Sequence, residues 1–179
     1  LSCGALQPVE TIGEFIEEDG VRFLVRTPVN RGRQHHQNKA KRTADVAFNP
    51  FLPYDKDLFV SDISATHLCL LNKFNVLDHH LLVVTRAFED QEEALNARDF
   101  HALSACMAQI DGLAFYNSGP AAGASQQHKH LQLVPLPVAP SGPPIPMQPA
   151  LHLDTLSDGV STSPRLPFVH GFARLDPDL

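Results

Sequence analysis

The sequence contains no tryptophan and only three cysteines in 179 residues. Cys3, Cys69 and Cys106 form no CxxC pair, and an odd number of cysteines cannot all pair within one chain. This excludes a disulfide framework and a cysteine-based zinc site. We therefore expect Cys69 and Cys106 to be packing residues, and we expect the protein to work in a reducing compartment, the cytoplasm.

Long hydrophobic runs are also missing. No apolar stretch approaches the roughly 18 residues that a membrane-spanning helix needs, so we expect no membrane partner. The formal net charge of −6 argues against a protein that coats nucleic acid. Half of the 14 basic residues nevertheless fall in one segment, namely Arg22, Arg26, Arg31, Arg33, Lys39, Lys41 and Arg42. This segment lacks apolar periodicity and predicts a mobile surface loop, the alternative being a basic arm that reaches a polyanion.

Runs of β-forming residues separated by turn residues predict an antiparallel sheet. The predicted strands are residues 58–63, 66–72, 80–86, 113–117 and 128–134. Between the third and fourth strands the apolar period becomes helical, with Asn96 as the expected N-cap. The apolar stripe of this helix consists of Phe100, Leu103, Met107 and Ile110. The predicted fold class is α+β, a mostly antiparallel sheet covered by a helix.

Composition divides the chain into three expected parts. Residues 1–48 form an N-terminal segment with the basic loop, and residues 49–137 form the central core. Residues 138–179 form a proline-rich connector and a C-terminal segment that docks on the core. The chain opens on leucine rather than methionine, so we expect it to be truncated.

The stretch "GASQQHKHLQLVP", residues 123–135, places two histidines and a glutamine at every second position. Successive strand residues point to opposite faces, so His128, His130 and Gln132 share one face. A core strand would fill this row with apolar side chains. Three interpretations stand: a metal site, a histidine nucleophile with hydrogen-bonding neighbours, or a polar face without function.

The metal interpretation needs further ligands, and glutamine is a poor ligand for zinc, so we expect no metal here. The nucleophile interpretation is favoured by the small-residue loop before the strand, which lets backbone N–H groups approach an anion closely. Neutral imidazole attacks phosphorus near pH 7 without a separate base, and its phosphoramidate can pass the group on. Gln132 would bind phosphoryl oxygens without offering a proton.

Several segments carry a family resemblance. "NSGPAAGASQQHKHLQLVPLP" resembles the active-site segment of the histidine-triad superfamily, in the transferase branch whose last histidine is glutamine. "NKFNVLDHHLLVVTR" resembles the strand–turn–strand unit of the same superfamily. "NPFLPYD", "CLLNKFNV" and "LPFVHGF" narrow the resemblance to the diadenosine tetraphosphate phosphorylase, or ATP adenylyltransferase, family. The resemblance covers most of residues 49–137 and implies that this part is a histidine-triad-like catalytic core.

The resemblance implies phosphorolysis of diadenosine tetraphosphate by phosphate, which yields ATP and ADP through AMP bound covalently to a histidine. It assigns the nucleophile to His130. It assigns contacts with substrate or phosphate to His128, Gln132, Ser125, Gln126, Asn117, Gly123, His80, Asn75 and Asp78. The implied partners are diadenosine tetraphosphate, ATP, ADP, AMP and phosphate, with no nucleic acid. No cofactor is obligatory, and magnesium is an option as a companion of the polyphosphate.

Two alternatives stay open. A hydrolase of the same superfamily would use water in place of phosphate, although Gln132 argues against it. A nucleotide-binding protein without catalytic activity would keep the pocket and lose the chemistry. The sequence leaves the oligomeric state open between a monomer and a homo-oligomer. The charged segment "EDQEEAL", residues 89–95, predicts a solvated face.

Overall fold

The computed structural model describes residues 3–29, 49–151 and 159–175. The basic residues from Arg31 to Arg42 lie outside these ranges. The chain divides into two compact units. One unit comprises the described residues of Leu1–Thr11 and Pro28–Leu136, and the other comprises Ile12–Thr27 and the described residues of Pro137–Leu179. The three-part division expected from the sequence stays a prediction.

The second unit is built around two strands, β1 (Thr11–Glu18) and β2 (Val21–Pro28). They are joined by a two-residue turn, in which Asp19 and Gly20 both have positive φ angles. Val21 packs with Ala150 and Leu166 in a small apolar cluster. This cluster ties the hairpin to the C-terminal segment within the unit.

The expected loop is wrong for Arg22 and Arg26, because both residues lie in β2. The Arg22 guanidinium stacks over the Phe15 ring, 3.8 Å from its centroid. The Arg26 guanidinium donates to the carbonyl oxygen of Val138 at 3.2 Å. An arginine whose guanidinium stacks on a ring or donates to a carbonyl can belong to a strand. The number of charges in a segment therefore does not show whether the segment is a loop.

The described part of the first unit contains a five-stranded sheet and one α-helix. Its strands are β3 (Phe59–Asp62), β4 (His67–Leu71), β5 (Leu81–Thr85), β6 (Gly112–Phe115) and β7 (His130–Pro135), and its helix is α1 (Ala97–Met107). The order across the sheet is β3-β4-β5-β7-β6, and every neighbouring pair is antiparallel. The predicted α+β class is therefore confirmed. Within the described ranges, no helix has the length and apolarity to span a membrane.

Alternation along the strands gives the sheet two faces. The face that packs on α1 buries Val83, Leu131 and Leu133 together with Ala102 and Cys106 of the helix. A second buried cluster consists of Phe51, Leu68, Leu70, Leu82 and Val84. His130 pairs with Val84, and Gln132 pairs with Leu82. Because directly paired residues point to the same face, the histidine motif lies on the face away from α1.

Helix α1 begins at the predicted N-cap. Asn96 Oδ1 accepts from Arg98 N, and Asp99 Oδ2 accepts from Asn96 N at 2.8 Å, which completes a capping box. The predicted apolar stripe is wrong at Phe100 and Met107, whose exposed fractions are 50% and 44%. The helix instead turns Asp99 inward, because of a buried cation that lies directly before β7.

That cation is Lys129, which lies directly before β7 and is fully buried on the helix side of the sheet. Its Nζ lies 3.0 Å from Glu89 Oε2 and 3.4 Å from Asp99 Oδ2. Asp99 Oδ1 lies 3.0 Å from Nε2 of His67, a buried residue of β4. Burial alone would lower the pKa of Lys129, but the Glu89 hydrogen bond and the Asp99 charge raise the pKa above its usual value. The ammonium therefore stays charged and links the segment before β7 to Asp99 of α1, which in turn bonds to His67 of β4.

We expect Lys129→Met to lower the free energy of unfolding by about 3 kcal/mol, because it leaves two carboxylates without their buried cation. Urea unfolding followed by circular dichroism measures the change. Arg98→Met is the matched control, since Arg98 also pairs with Glu89, at 3.9 Å, but from an exposed position. The control should lose less than about 1 kcal/mol. Equal losses in the two variants would contradict the role of the buried network.

Candidate active site

His130 is oriented by its own strand. Its Nδ1 donates to the carbonyl oxygen of His128 at 2.8 Å. Because a carbonyl can only accept, Nδ1 carries the ring proton and Nε2 keeps its lone pair. No described residue forms a hydrogen bond with Nε2. The ring is therefore held in the tautomer that a nucleophile needs.

The surroundings of His130 favour its neutral form. Burial is the largest cause and lowers the pKa of His130 below the ordinary 6.5. The hydrogen bond to the His128 carbonyl opposes this shift, and the charge of a protonated His128 ring adds to it. At pH 7 the imidazole is thus uncharged, so its lone pair is ready to attack.

His128 has both ring nitrogens occupied. Its Nε2 donates to the carbonyl oxygen of Thr85 at 2.7 Å and lies 2.9 Å from the Thr85 hydroxyl. Its Nδ1 accepts from Asn49 Nδ2 at 2.8 Å. Burial lowers the pKa of His128, against hydrogen bonds to the backbone that raise it. In this arrangement the backbone carbonyl of His128 accepts the hydrogen bond from the His130 ring. The expected contact between the His128 ring and phosphate would require the ring to give up one of its present hydrogen bonds.

Gln132 is oriented by His80. His80 Nε2 donates to Gln132 Oε1 at 3.0 Å, and His80 Nδ1 accepts from Asn72 Nδ2 at 3.3 Å. Burial lowers the pKa of His80, although the bond to Gln132 raises it. Because Oε1 of Gln132 already accepts a hydrogen bond from His80, the NH2 group of the same amide remains as a donor for an anion.

Aromatic rings lie beside His128 and His130. The Phe51 ring centroid lies 5.5 Å from that of His128 and 5.4 Å from that of His130. Phe88 meets His128 edge-on at 5.6 Å. These apolar neighbours remove water from the rings, which is the physical cause of their lowered pKa values.

The loop between β6 and β7 depends on two glycines. Gly119 and Gly123 have φ angles of +76° and +93°. A Cβ at Gly119 would lie 2.9 Å from the Glu92 side chain, so only glycine fits there. Asn117 Nδ2 lies 3.9 Å from the position of a Cβ at Gly123, so these two predicted residues come together. Ser125, an exposed residue, and Gln126 form no hydrogen bond with His130 in the described structure.

The family model of the Ap4A phosphorylase N-terminal domain, where Ap4A is diadenosine tetraphosphate, matches residues 1–153. This chain belongs to the Ap4A phosphorylase family. The resemblance drawn from the sequence motifs is therefore confirmed. The match includes β7 and the loop before it, which carry the histidine motif.

The yeast relatives of this chain are considerably longer. Diadenosine 5',5'''-P1,P4-tetraphosphate phosphorylase 2 of Saccharomyces cerevisiae is 35% identical over 111 residues, which are 54% of this chain and 34% of that protein. Yeast Ap4A phosphorylase Apa2 in complex with AMP matches with a TM-score of 0.57 and 27% identity, over 74% of this chain and 45% of that one. The same protein in complex with Ap4A gives 0.56 and 27%, over 76% and 47%. The chain thus spans about a third of its curated relative.

Gln91 is the main residue of the candidate site that the sequence did not predict. The expected solvated face is wrong here, because Gln91 is only 2% exposed and bonds to the backbone of His130 and Asn117. The signal in the sequence is that Gln91 is the one amide among the carboxylates of residues 89–93. Thr85 and Asn49, which hold the His128 ring, carried no such signal.

Asn75 and Asp78, expected to contact ribose, lie in the connection between β4 and β5. Asn75 is buried, and its Nδ2 donates to the carbonyl oxygen of Leu77 at 3.0 Å. Its Oδ1 has no hydrogen-bond partner within the described ranges, and Asp78 is exposed. No hydrogen bond of the described structure joins either residue to His130, so their role stays a prediction.

The described ranges contain no group of three or more His, Cys, Asp or Glu side chains that could hold a metal ion. At the histidine face, the ring nitrogens of His128 are bonded to Asn49 and Thr85, and Nδ1 of His130 is bonded to a carbonyl. A metal would have to displace these bonds. The expectation of no metal at this face stays a prediction.

We expect the His130 ring to titrate below pH 6.5 in the folded protein, because burial disfavours the imidazolium. Histidine ring NMR signals followed from about pH 8 to about pH 5 measure the pKa. The His130→Ala variant assigns the signal, since it deletes that resonance alone. The same ring in urea-unfolded protein is the internal control and should return to the ordinary value. A folded-state pKa at or above the unfolded one would refute this account of the site.

Proposed function

We propose that the protein is an ATP adenylyltransferase that uses inorganic phosphate to split diadenosine tetraphosphate into ATP and ADP. One observation carries the proposal. His130 donates from Nδ1 to its own strand and keeps a lone pair on Nε2, in a chain of the Ap4A phosphorylase family. The yeast relative in complex with AMP and with Ap4A supports the substrate class.

In the first half-reaction, Nε2 of His130 attacks the phosphorus of one AMP unit. The bond from that phosphorus to the oxygen of the departing ATP breaks, and the N–P bond forms. The imidazole becomes cationic, and its Nδ1 proton points at the His128 carbonyl oxygen, which stabilises that charge. The Gln132 NH2 group, whose amide oxygen is bonded to His80, donates to a phosphoryl oxygen.

In the second half-reaction, an oxygen of inorganic phosphate attacks the same phosphorus. The N–P bond breaks, its electron pair returns to Nε2, and ADP leaves. Phosphate is already anionic and needs no general base, whereas water would need one. Gln132 has no titrating group, so it orients the phosphoryl group and gives water no help. The site therefore favours phosphate as the acceptor.

The remaining partners follow from this reaction. We infer that the protein binds diadenosine tetraphosphate, ATP, ADP, AMP and phosphate, and that no cofactor is obligatory. Magnesium accompanies the polyphosphate through the oxygens of the substrate. Three free cysteines and no disulfide among the described residues support a cytoplasmic setting. The net charge of −6 argues against nucleic acid as a partner.

We expect His130→Ala to abolish the AMP adduct and to lower turnover by roughly 10³-fold or more, because the nucleophile supplies the reaction route. Binding of the substrate should largely survive. Mass spectrometry of intact protein incubated with diadenosine tetraphosphate in the absence of phosphate detects the adduct. The control is His101→Ala, an exposed position on α1. Substantial activity in His130→Ala would mean that another residue is the nucleophile. A wild type that binds nucleotide but is inactive would indicate a nucleotide-binding protein without catalytic activity.

We expect Gln132→His to shift the products from ADP towards AMP, because a titratable ring beside the intermediate can take a proton from water. Chromatography of ATP, ADP and AMP, with and without phosphate, measures the ratio. Gln132→Leu is the matched control, since it also removes the hydrogen bond to His80 but brings no titratable group. A ratio that stays the same in both variants would mean that Gln132 does not select the acceptor. A wild type that releases mainly AMP would indicate a hydrolase.

A further inference from the structure

The ladder between β6 and β7 stops beside the nucleophile. Phe115 of β6 pairs with Gln132 of β7, and this is the last pair. Two residues further along the same register, Asn117 would stand opposite His130. However, β6 ends at Phe115, and the chain then continues into the loop that contains Gly119 and Gly123. On the side of β7 that faces β6, the backbone N–H and carbonyl of His130 therefore need hydrogen-bond partners other than a strand.

The side chain of Gln91 supplies those partners. Its Oε1 accepts from the backbone N–H of His130 at 2.8 Å. Its Nε2 donates to the carbonyl oxygen of Asn117 at 2.8 Å and to that of His130 at 3.2 Å. One acceptor and two donors are thus all engaged with main-chain atoms. A side-chain amide has the same groups as a peptide bond, so it can stand between two strands that have separated.

Gln91 is itself held on both sides. Its backbone N–H donates to the carbonyl oxygen of Gln127 at 2.8 Å. The hydroxyl of Tyr116 donates to the carbonyl oxygen of Gln91 and, at 3.0 Å, to that of Glu93. Burial raises the pKa of Tyr116, so this hydroxyl keeps its proton and stays a donor. The amide of Gln91 therefore has little freedom to move away from His130.

We propose that Gln91 is a positioning residue for the nucleophile, which fixes the backbone of His130 relative to Asn117 and the loop that approaches phosphate. The inference rests on the proposed function, since it takes His130 as the attacking group. In-line attack depends on the placement of Nε2 against phosphorus, and small displacements reduce the rate strongly. Gln91 reaches the main chain of His130 and leaves the ring nitrogen for the substrate.

Two substitutions of Gln91 in the intact protein test this role. Gln91→Met keeps the length of the side chain but leaves the N–H and carbonyl groups of the backbone without partners. Gln91→Glu can still accept from the His130 N–H, but its carboxylate cannot donate. We expect both variants to form the AMP adduct roughly 10- to 100-fold more slowly in single turnovers without phosphate. Affinity for diadenosine tetraphosphate should change less than about threefold, because Gln91 is expected to touch no substrate.

A change of pH separates positioning from a general loss of structure. Protonation of the buried carboxyl in Gln91→Glu restores one donor, and burial raises the pKa of such a group. The rate of that variant relative to wild type should therefore rise as the pH falls from about 8 to about 6. The ratio for Gln91→Met should stay flat. A buried carboxylate also lowers the stability of the folded protein as the pH rises, so circular dichroism measures the folded fraction of Gln91→Glu at both pH values and the rates are compared per folded molecule.

The matched control is Gln109→Glu, an exposed glutamine after α1, which should keep the wild-type rate at both pH values. If wild type forms the adduct and Gln91→Met forms it equally fast, the positioning role is wrong while the proposed function stands. A Gln91→Glu rate that does not recover relative to wild type at low pH also overturns it. If wild type itself forms no adduct, the proposed function and this inference fail together.

Discussion

The buried ammonium of Lys129 is the constraint on which the active strand depends. Lys129 lies between His128 and His130 in the sequence. Because successive residues of an extended chain point to opposite faces, its side chain points to the helix side of the sheet. A buried cation is tolerated only when it is paired, so Glu89 and Asp99 must both turn inward. The backbone N–H of Lys129 also donates to the carbonyl oxygen of Glu89 at 2.8 Å, which fixes the chain two residues before Gln91. The contacts that neutralise the charge on one face of the sheet thus also place the Gln91 amide against the backbone of His130, the proposed nucleophile.

The parts of the fold that the sequence predicts are those decided by local rules. The period of two in β7 identifies the histidine face, and Asn96 is a cap because its partners lie within three residues. The prediction of the buried face of α1 fails because contacts with residues distant in the sequence decide which face is buried. Asp99 is drawn inward by a cation 30 residues away, and Phe100 is left in solvent as a consequence. A hydropathy pattern gives a carboxylate no reason to face the core.

Among the residues of the candidate site, those to which the sequence motifs assign a role could be predicted, and those that bind main-chain atoms without such an assignment could not. His128, His130 and His80 belong to motifs with fixed spacing, whereas Gln91 and Thr85 act through bonds to main-chain atoms. Such bonds need a donor and an acceptor at one place in space and impose no period on the sequence. Polar residues of this kind therefore look like surface residues until the strands that surround them are known.

The directions of the hydrogen bonds distinguish the imidazole of His130 from those of His80 and His128. His80 and His128 both carry their proton on Nε2, because those nitrogens donate to an amide oxygen and to a carbonyl. His130 carries its proton on Nδ1, because the carbonyl of His128 lies 2.8 Å from that atom. Among these rings, only His130 presents an unprotonated Nε2. The backbone around His130, to which Gln91 is bonded, therefore sets the tautomer that makes His130 the candidate nucleophile, whereas the Nε2 atoms of His80 and His128 are already engaged as donors.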